Sequence, residues 1–152
     1  MLYGREDDLG SSVTAVDIVS AKIRRPGRDV TLVTYGGSLF KTLEAAETLR
    51  QEGIEAEVID LRVLRPLDMT TVLESVSRTR RVVIVDEGWK SGSLSAEIAA
   101  RIAEEAFFEL DAPIRRVCSR EVPIPYAAHL EAAAVPQVPV IAAAARGLVK
   151  GE

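Results

Sequence analysis

Apolar positions along the chain alternate between two textures: short unbroken runs, and longer stretches spaced three to four residues apart. The segment from Glu55 to Gly92 holds both. Ala56–Asp60 is short, β-branched and bounded by a break, which suits a buried strand. Pro66 stops any continuation, and Asp68 is placed to cap a helix whose apolar side is Met69, Val72, Leu73 and Val76. In Arg81–Asp86, Val82, Val83, Ile84 and Val85 follow one another without a polar face, so both sides of that strand must be covered. A strand covered on both sides predicts helices above and below it, which is an α/β domain.

The flanking segments extend the pattern. Ala21–Arg25 reads as a short edge strand, because charge around Ile23 and Pro26 at its end suit unpaired backbone. Val30–Tyr35 is a stronger strand, followed by a Gly36-Gly37 turn and a helix with Leu39, Leu43, Ala46 and Leu49 on one face. Ser38 is expected to cap that helix and Gly53 to end it. A further helix, capped by Ser93 or Ser95, carries Leu94, Ile98, Ile102 and Ala106, with Glu97 placed to pair with Arg101. Pro113 introduces a last strand, Ile114–Cys118. Val122–Tyr126 has prolines at alternate positions and is expected to be extended. Two alanine-rich helices follow, Tyr126–Ala134 and Val138–Val149, the second with Val138, Ile141, Ala145 and Leu148 inward. Residues 1–20 read as a linker or arm leading into a domain over residues 21–152.

The 152 residues suffice for one domain with its own core. The formal net charge of −4 is spread out, and the short basic cluster Lys22, Arg24, Arg25 and Arg28 reads as a solvated edge, so no nucleic-acid partner is expected. The one cysteine, Cys118, excludes an internal disulfide and a two-cysteine zinc site, and reads as a small buried hydrophobe. With no signal-like core and no apolar run judged long enough to cross a membrane, the expectation is a cytoplasmic, reduced protein without a membrane partner.

Candidate chemistry is sparse. Gly36-Gly37-Ser38 lies between a strand and a helix, where phosphates can bind backbone N–H groups, but it matches neither dinucleotide nor Walker signatures. A tight turn with a serine cap accounts for it. Asp86 and Glu87 end the most buried strand, where they could do acid–base work, bind a cation, cap the next helix or meet a partner. Trp89 beside them favours an interface. His129 has no serine or cysteine near it in sequence and reads as a surface or helix-end histidine. Glu109 and Asp111 flank the entry to the last strand. No catalytic, cofactor-binding or metal-ligating residues are assigned.

The phrases VIDLRVLRPLD, VVIVDEGWKSGSLSAEIAARI and VPIPYAAHLE, with AKIRRPGRDVTLVTYGGSLFKTLEAAETL before them, are particular enough to resemble one family. They are similar to the C-terminal domain of the beta subunit of thiamine-diphosphate-dependent 2-oxo acid dehydrogenases, the decarboxylating components of pyruvate, branched-chain 2-oxo acid and acetoin dehydrogenase complexes. The resemblance runs from about Leu2 to Val149. It implies a transketolase C-terminal-like fold: three layers, α/β/α, with a five-stranded, mostly parallel sheet and one antiparallel edge strand, assigned to Ala21–Arg25.

In that family thiamine diphosphate and magnesium lie between the beta subunit's N-terminal domain and the alpha subunit, so neither is expected in this domain. Leu2-Tyr3-Gly4 looks like the close of the preceding pyrimidine-binding domain, and Met1 is expected to mark a shortened chain or a split gene. The implied partners are an alpha subunit, a second beta subunit and the basic subunit-binding domain of an acyltransferase core. Glu87, Trp89, Lys90, Ser91 and Gly92 are the candidates for subunit contact; Glu109, Asp111 and Glu152 are those for the acyltransferase. Two other readings stay open: a free-standing module binding a small anion near Gly36 and Asp86, and the same domain of a transketolase or 1-deoxyxylulose-5-phosphate synthase.

Overall fold

The computed structural model describes residue 15 and residues 17–151, so most of the expected arm over residues 1–20, and Glu152, lie outside the described residues. The chain runs β1 (Lys22–Arg25), β2 (Val30–Thr34), α1 (Ser38–Gln51), β3 (Ala56–Asp60), α2 (Met69–Thr79), β4 (Val82–Trp89), α3 (Leu94–Ala106), β5 (Arg115–Ser119), α4 (Ala128–Ala134) and α5 (Val138–Lys150). A 3-10 turn, Phe107–Glu109, follows α3. The strands form one sheet in the order β1-β3-β2-β4-β5. Only β1 is antiparallel, paired to β3 at the edge, as its charge and proline require.

Side-chain alternation along the strands splits the core into two. On one face Val30, Leu32, Val58, Val83 and Val85 meet α1 and α5. On the other Val33, Ile59, Val82 and Ile84 meet α2 and α3. Successive residues of a strand point to opposite faces, so unbroken apolar runs are what a sheet covered twice demands. One polar group inside is satisfied locally: Thr31 on β2 meets Ser75 and Thr79 of α2 through hydroxyls at 2.6 and 2.7 Å.

Asp68 caps α2, accepting from Thr71 N at 3.1 Å, and its other oxygen accepts from Ala21 N at 2.9 Å. One carboxylate thereby starts a helix and fixes the entry of β1.

Several expectations are corrected. Ser38 does not cap α1 but is its first residue; Gly36, at φ +60°, closes the turn through its own carbonyl to Leu39 N at 3.3 Å, and the Ser38 side chain turns inward. Arg101 pairs with Glu105, one turn onward, rather than with Glu97. Cys118 is half-buried, not buried, because β5 is the outer strand of the sheet. Ala128–Lys150 reaches the length and mean hydropathy of a membrane-crossing segment, 23 residues at 1.5, where no such run was expected. The segment is split at Val135–Gln137, and α5 lays Ile141, Ala142, Ala145 and Leu148 against the sheet.

Gly27 packs where no side chain fits: an added Cβ would stand 2.1 Å from Glu57 N and 2.3 Å from the Ala56 carbonyl carbon. Both are backbone of β3, so relief requires parting the β1–β2 turn from the sheet. Gly27→Ala is expected to lower stability by about 2 kcal/mol or more, read as a shift in the urea unfolding midpoint at unchanged slope.

Candidate functional site

In a parallel sheet with helices on both faces, ligands settle at the carboxyl ends of the strands, where neighbouring strands send their chains to opposite faces. Here that point lies between β2, which continues into α1, and β4, which continues into α3. The chain fills it with its own side chains. Tyr35, just past β2, donates its hydroxyl to Asp86 Oδ1 at 2.6 Å. Asp86 is buried in β4 and also accepts from Gly88 N at 2.7 Å and, through Oδ2, from Ser95 N at 3.1 Å.

Burial alone would raise the Asp86 carboxyl, but bonds from Tyr35, Gly88, Ser93 and Ser95 outweigh it and hold the group below its ordinary value. Burial, then the Asp86 carboxylate, push the Tyr35 phenol well above its own. Of the roles open to Asp86 in the sequence, helix capping is the one the geometry realises. Ser93 stands at the N-cap of α3 without a side-chain cap bond, and its hydroxyl meets Ser95 Oγ at 2.7 Å.

Glu87 turns the other way. A Cβ added at Gly37, the N-cap of α1, would be 3.0 Å from Glu87 Oε1, so this carboxylate stands over the α1 N-terminus. That is the position an anionic ligand would take. Thr34 and Ser38 bracket the same turn with buried hydroxyls that find no partner among the described residues.

The segment expected as an interface loop begins inside β4. A register shift between Asp86 and Trp89 carries the strand on to Trp89, and the next residues are tied to the end of β5. Trp89 Nε1 donates to Val122 O at 3.2 Å, Ser91 donates to Glu121 Oε1 from its backbone N and its hydroxyl, and Arg116 Nη1 donates to Lys90 O at 2.8 Å. Gly92, at φ +67°, turns the chain back into α3. The loop is fixed, yet Trp89 keeps 48% of its surface exposed, with Val122, Ile124 and Tyr126 exposed along the proline-spaced segment beside it. Exposed apolar surface of this kind marks contact surfaces.

The acidic candidates lie elsewhere, after α3. Arg80 bonds Asp111 at 2.8 Å and reaches Glu109 at 3.6 Å, and Arg81 reaches Asp111 at 3.7 Å. Asp111 is therefore largely engaged, and Glu109 is the freer of the two. They adjoin a cleft of about 590 Å³ lined by Phe107, Phe108, Leu110, Pro113 and Ile114. Phe107 and Phe108 meet edge to face at 5.4 Å, and Phe108 is 92% exposed. Sequence reasoning passed over this pair; two adjacent phenylalanines closing a helix cannot both face its core, and that was the available signal. His129 is exposed on α4.

Fold and site together define a doubly wound α/β domain whose strand-end crevice is occupied by its own side chains. A family model described as transketolase, C-terminal domain matches residues 20–141, and the chain belongs to that family. It is 47% identical over 150 residues to the subunit beta of an acetoin:2,6-dichlorophenolindophenol oxidoreductase from Cupriavidus necator, covering 99% of this chain and 44% of that protein. It is also 47% identical over 150 residues to the mitochondrial pyruvate dehydrogenase E1 component subunit beta of Dictyostelium discoideum, covering 96% and 42%. The chain thus spans less than half the length of these relatives. A solved structure described as a split gene transketolase, an inactive beta4 tetramer, aligns at TM-score 0.78 and 27% identity over 95% of this chain and 46% of that one. The resemblance read from the sequence and the five-stranded α/β architecture both hold.

Asp86→Ala is expected to cost about 2–4 kcal/mol, since it strands one buried and two part-buried donors, and Tyr35→Phe about 1 kcal/mol. The folded carboxyl lies below its unfolded value of about 3.9, so its contribution is present above that pH and is lost as pH falls through the folded value. Asp86→Asn should flatten the stability profile below about pH 4, as measured by thermal unfolding across pH.

Proposed function

We propose that this chain acts as the C-terminal domain of the decarboxylating component, beta subunit, of a thiamine-diphosphate-dependent 2-oxo acid dehydrogenase, and that its task is assembly rather than chemistry. The observation that carries this reading is the pairing of a self-filled strand-end crevice with a fixed, exposed apolar band headed by Trp89. Its residues do not fit a diphosphate: the Glu87 carboxylate over the α1 N-terminus would repel one, and the Tyr35–Asp86 bond closes the gap beside it. Thiamine diphosphate and magnesium therefore belong to other parts of the intact enzyme in this reading.

The two surfaces take different partners. The band of Trp89, Lys90, Ser91 and Gly92, with Glu87 beside it, meets an alpha subunit or a second beta subunit. Glu109, with Asp111, faces the basic subunit-binding domain of the acyltransferase, and the Phe107–Phe108 cleft supplies apolar area next to that charge. Glu152 is the third acid proposed there.

The test is co-expression with an alpha subunit and the pyrimidine-binding half of a pyruvate or acetoin dehydrogenase. The chain should co-elute with them, and Trp89→Ala should weaken the assembly by at least about tenfold. Alone it should show no decarboxylation and no calorimetric saturation by magnesium thiamine diphosphate; saturation at micromolar cofactor overturns the reading. The rival, a free-standing anion-binding module, is favoured instead by a phosphate-dependent rise in melting temperature that Gly37→Val abolishes.

A further inference from the structure

Most arginines described on this surface have an acidic partner. Arg25 pairs with Glu47, Arg78 with Glu57 and Arg80 with Asp111. Along β5 the pattern breaks. Among the described residues Lys90, Arg116 and Arg120 form no salt bridge, although together they line one cleft of about 410 Å³ with the apolar side chains of Val117 and Val140. The one carboxylate lining it, Glu121, is held by the hydroxyl and backbone N–H of Ser91, and those bonds keep it below its ordinary value; Lys90 acts on it only at longer range.

β5 is also an edge. Within the sheet it is hydrogen-bonded to β4 alone, so among the described residues the backbone groups on its far side have no strand partner, while just past its end Arg120 N donates to Ala134 O at 2.8 Å. Such edges invite a further strand, and charge decides which. A second copy of β5 would bring Arg116 and Arg120 against their own kind, which is repulsive. An extended chain rich in carboxylates meets three unpaired cations instead, in a protein whose net charge of −4 makes this concentration of positive charge local. Arg116 is fixed for the purpose by its bond to Lys90 O, and Lys90 directly follows the exposed Trp89, so the groove continues the apolar band.

We infer that the β5 edge is a docking groove for an extended acidic segment of a partner protein, which lies beside β5 with carboxylates on Lys90, Arg116 and Arg120 and an apolar side chain against Val140. The inference rests on the reading that the strand-end face is a protein contact, and it names the chemistry of what binds there.

The test uses the full chain and a short dye-labelled peptide alternating glutamate with valine, followed by fluorescence anisotropy. Saturable binding is expected, absent for the lysine–valine counterpart and weakened about tenfold or more in the Lys90→Glu/Arg120→Glu double variant. Arg116 is left intact because it braces the loop, and an unchanged melting temperature certifies the variant's fold. The same peptide N-methylated at alternate residues should lose affinity, since it cannot complete a strand ladder. Equal binding by the charge-reversed variant, equal binding of the N-methylated peptide, or displacement by single-stranded DNA of matched charge at the same affinity would each overturn the groove.

The two readings fail separately. A chain that binds the peptide but does not co-elute with an alpha subunit keeps the groove and loses the dehydrogenase assignment. One that assembles but ignores the peptide does the reverse.

Discussion

The Asp86 carboxylate is the interaction on which this domain's strand-end architecture depends. Three elements converge on its two oxygens: the end of β2 through Tyr35, β4 itself through Gly88 N, and the first turn of α3 through Ser95 N. A carboxylate in an apolar sheet is tolerable only when fully coordinated, because an unmet buried charge costs far more than any one hydrogen bond returns. Full coordination fixes geometry in turn. With Asp86 pinned, the register shift that follows it sends Trp89 outward and brings the chain back at Gly92.

Much of the fold was legible because each physical cause was local. Ala56–Asp60 and Val82–Val85 announce a doubly covered sheet by lacking any polar face, and β1 announces an edge by carrying charge around Ile23. Asp68 and Gly53 sit where a cap and a helix stop belong, and do those jobs. The failures share a different cause: they depend on neighbours distant in sequence. Ser38 resembles a cap until Gly36 closes the turn first. Ser93 does stand at the N-cap of α3, but the bond to the first turn comes from the Asp86 carboxylate seven positions earlier. The exposed Phe107–Phe108 pair, and the cations gathered along β5 from Lys90 to Arg120, become visible only when the strands are laid side by side.

A sheet of this topology ordinarily leaves an opening at its strand ends, and filling it changes what the domain can offer. Tyr35, Asp86 and Glu87 occupy that opening, so the chemistry left to the molecule is on its outer faces. Those faces differ in kind. One joins apolar side chains to unpaired cations; the other sets an apolar cleft beside carboxylates already leaning on Arg80 and Arg81. On the reading proposed above, two such surfaces on one scaffold would let partners of opposite charge bind without competing.

Helix α5 has a bearing on how the molecule comes into being. Ile141, Ala142, Ala145 and Leu148 complete the layer that α1 begins, against Val117 of the nearby β5 and against β2, β3 and β4, whose residues lie more than fifty positions earlier. Emerging from the ribosome, β2, β3 and β4 would carry a half-covered face until the final helix is released, whereas α2 and α3 cover the opposite side at once. Closing so long a loop is slow, and an uncovered valine-rich sheet is adhesive meanwhile. Closure of that layer would then wait for α5, and any chaperone or companion subunit that acts on the nascent chain would find the α1 side of the sheet still incomplete.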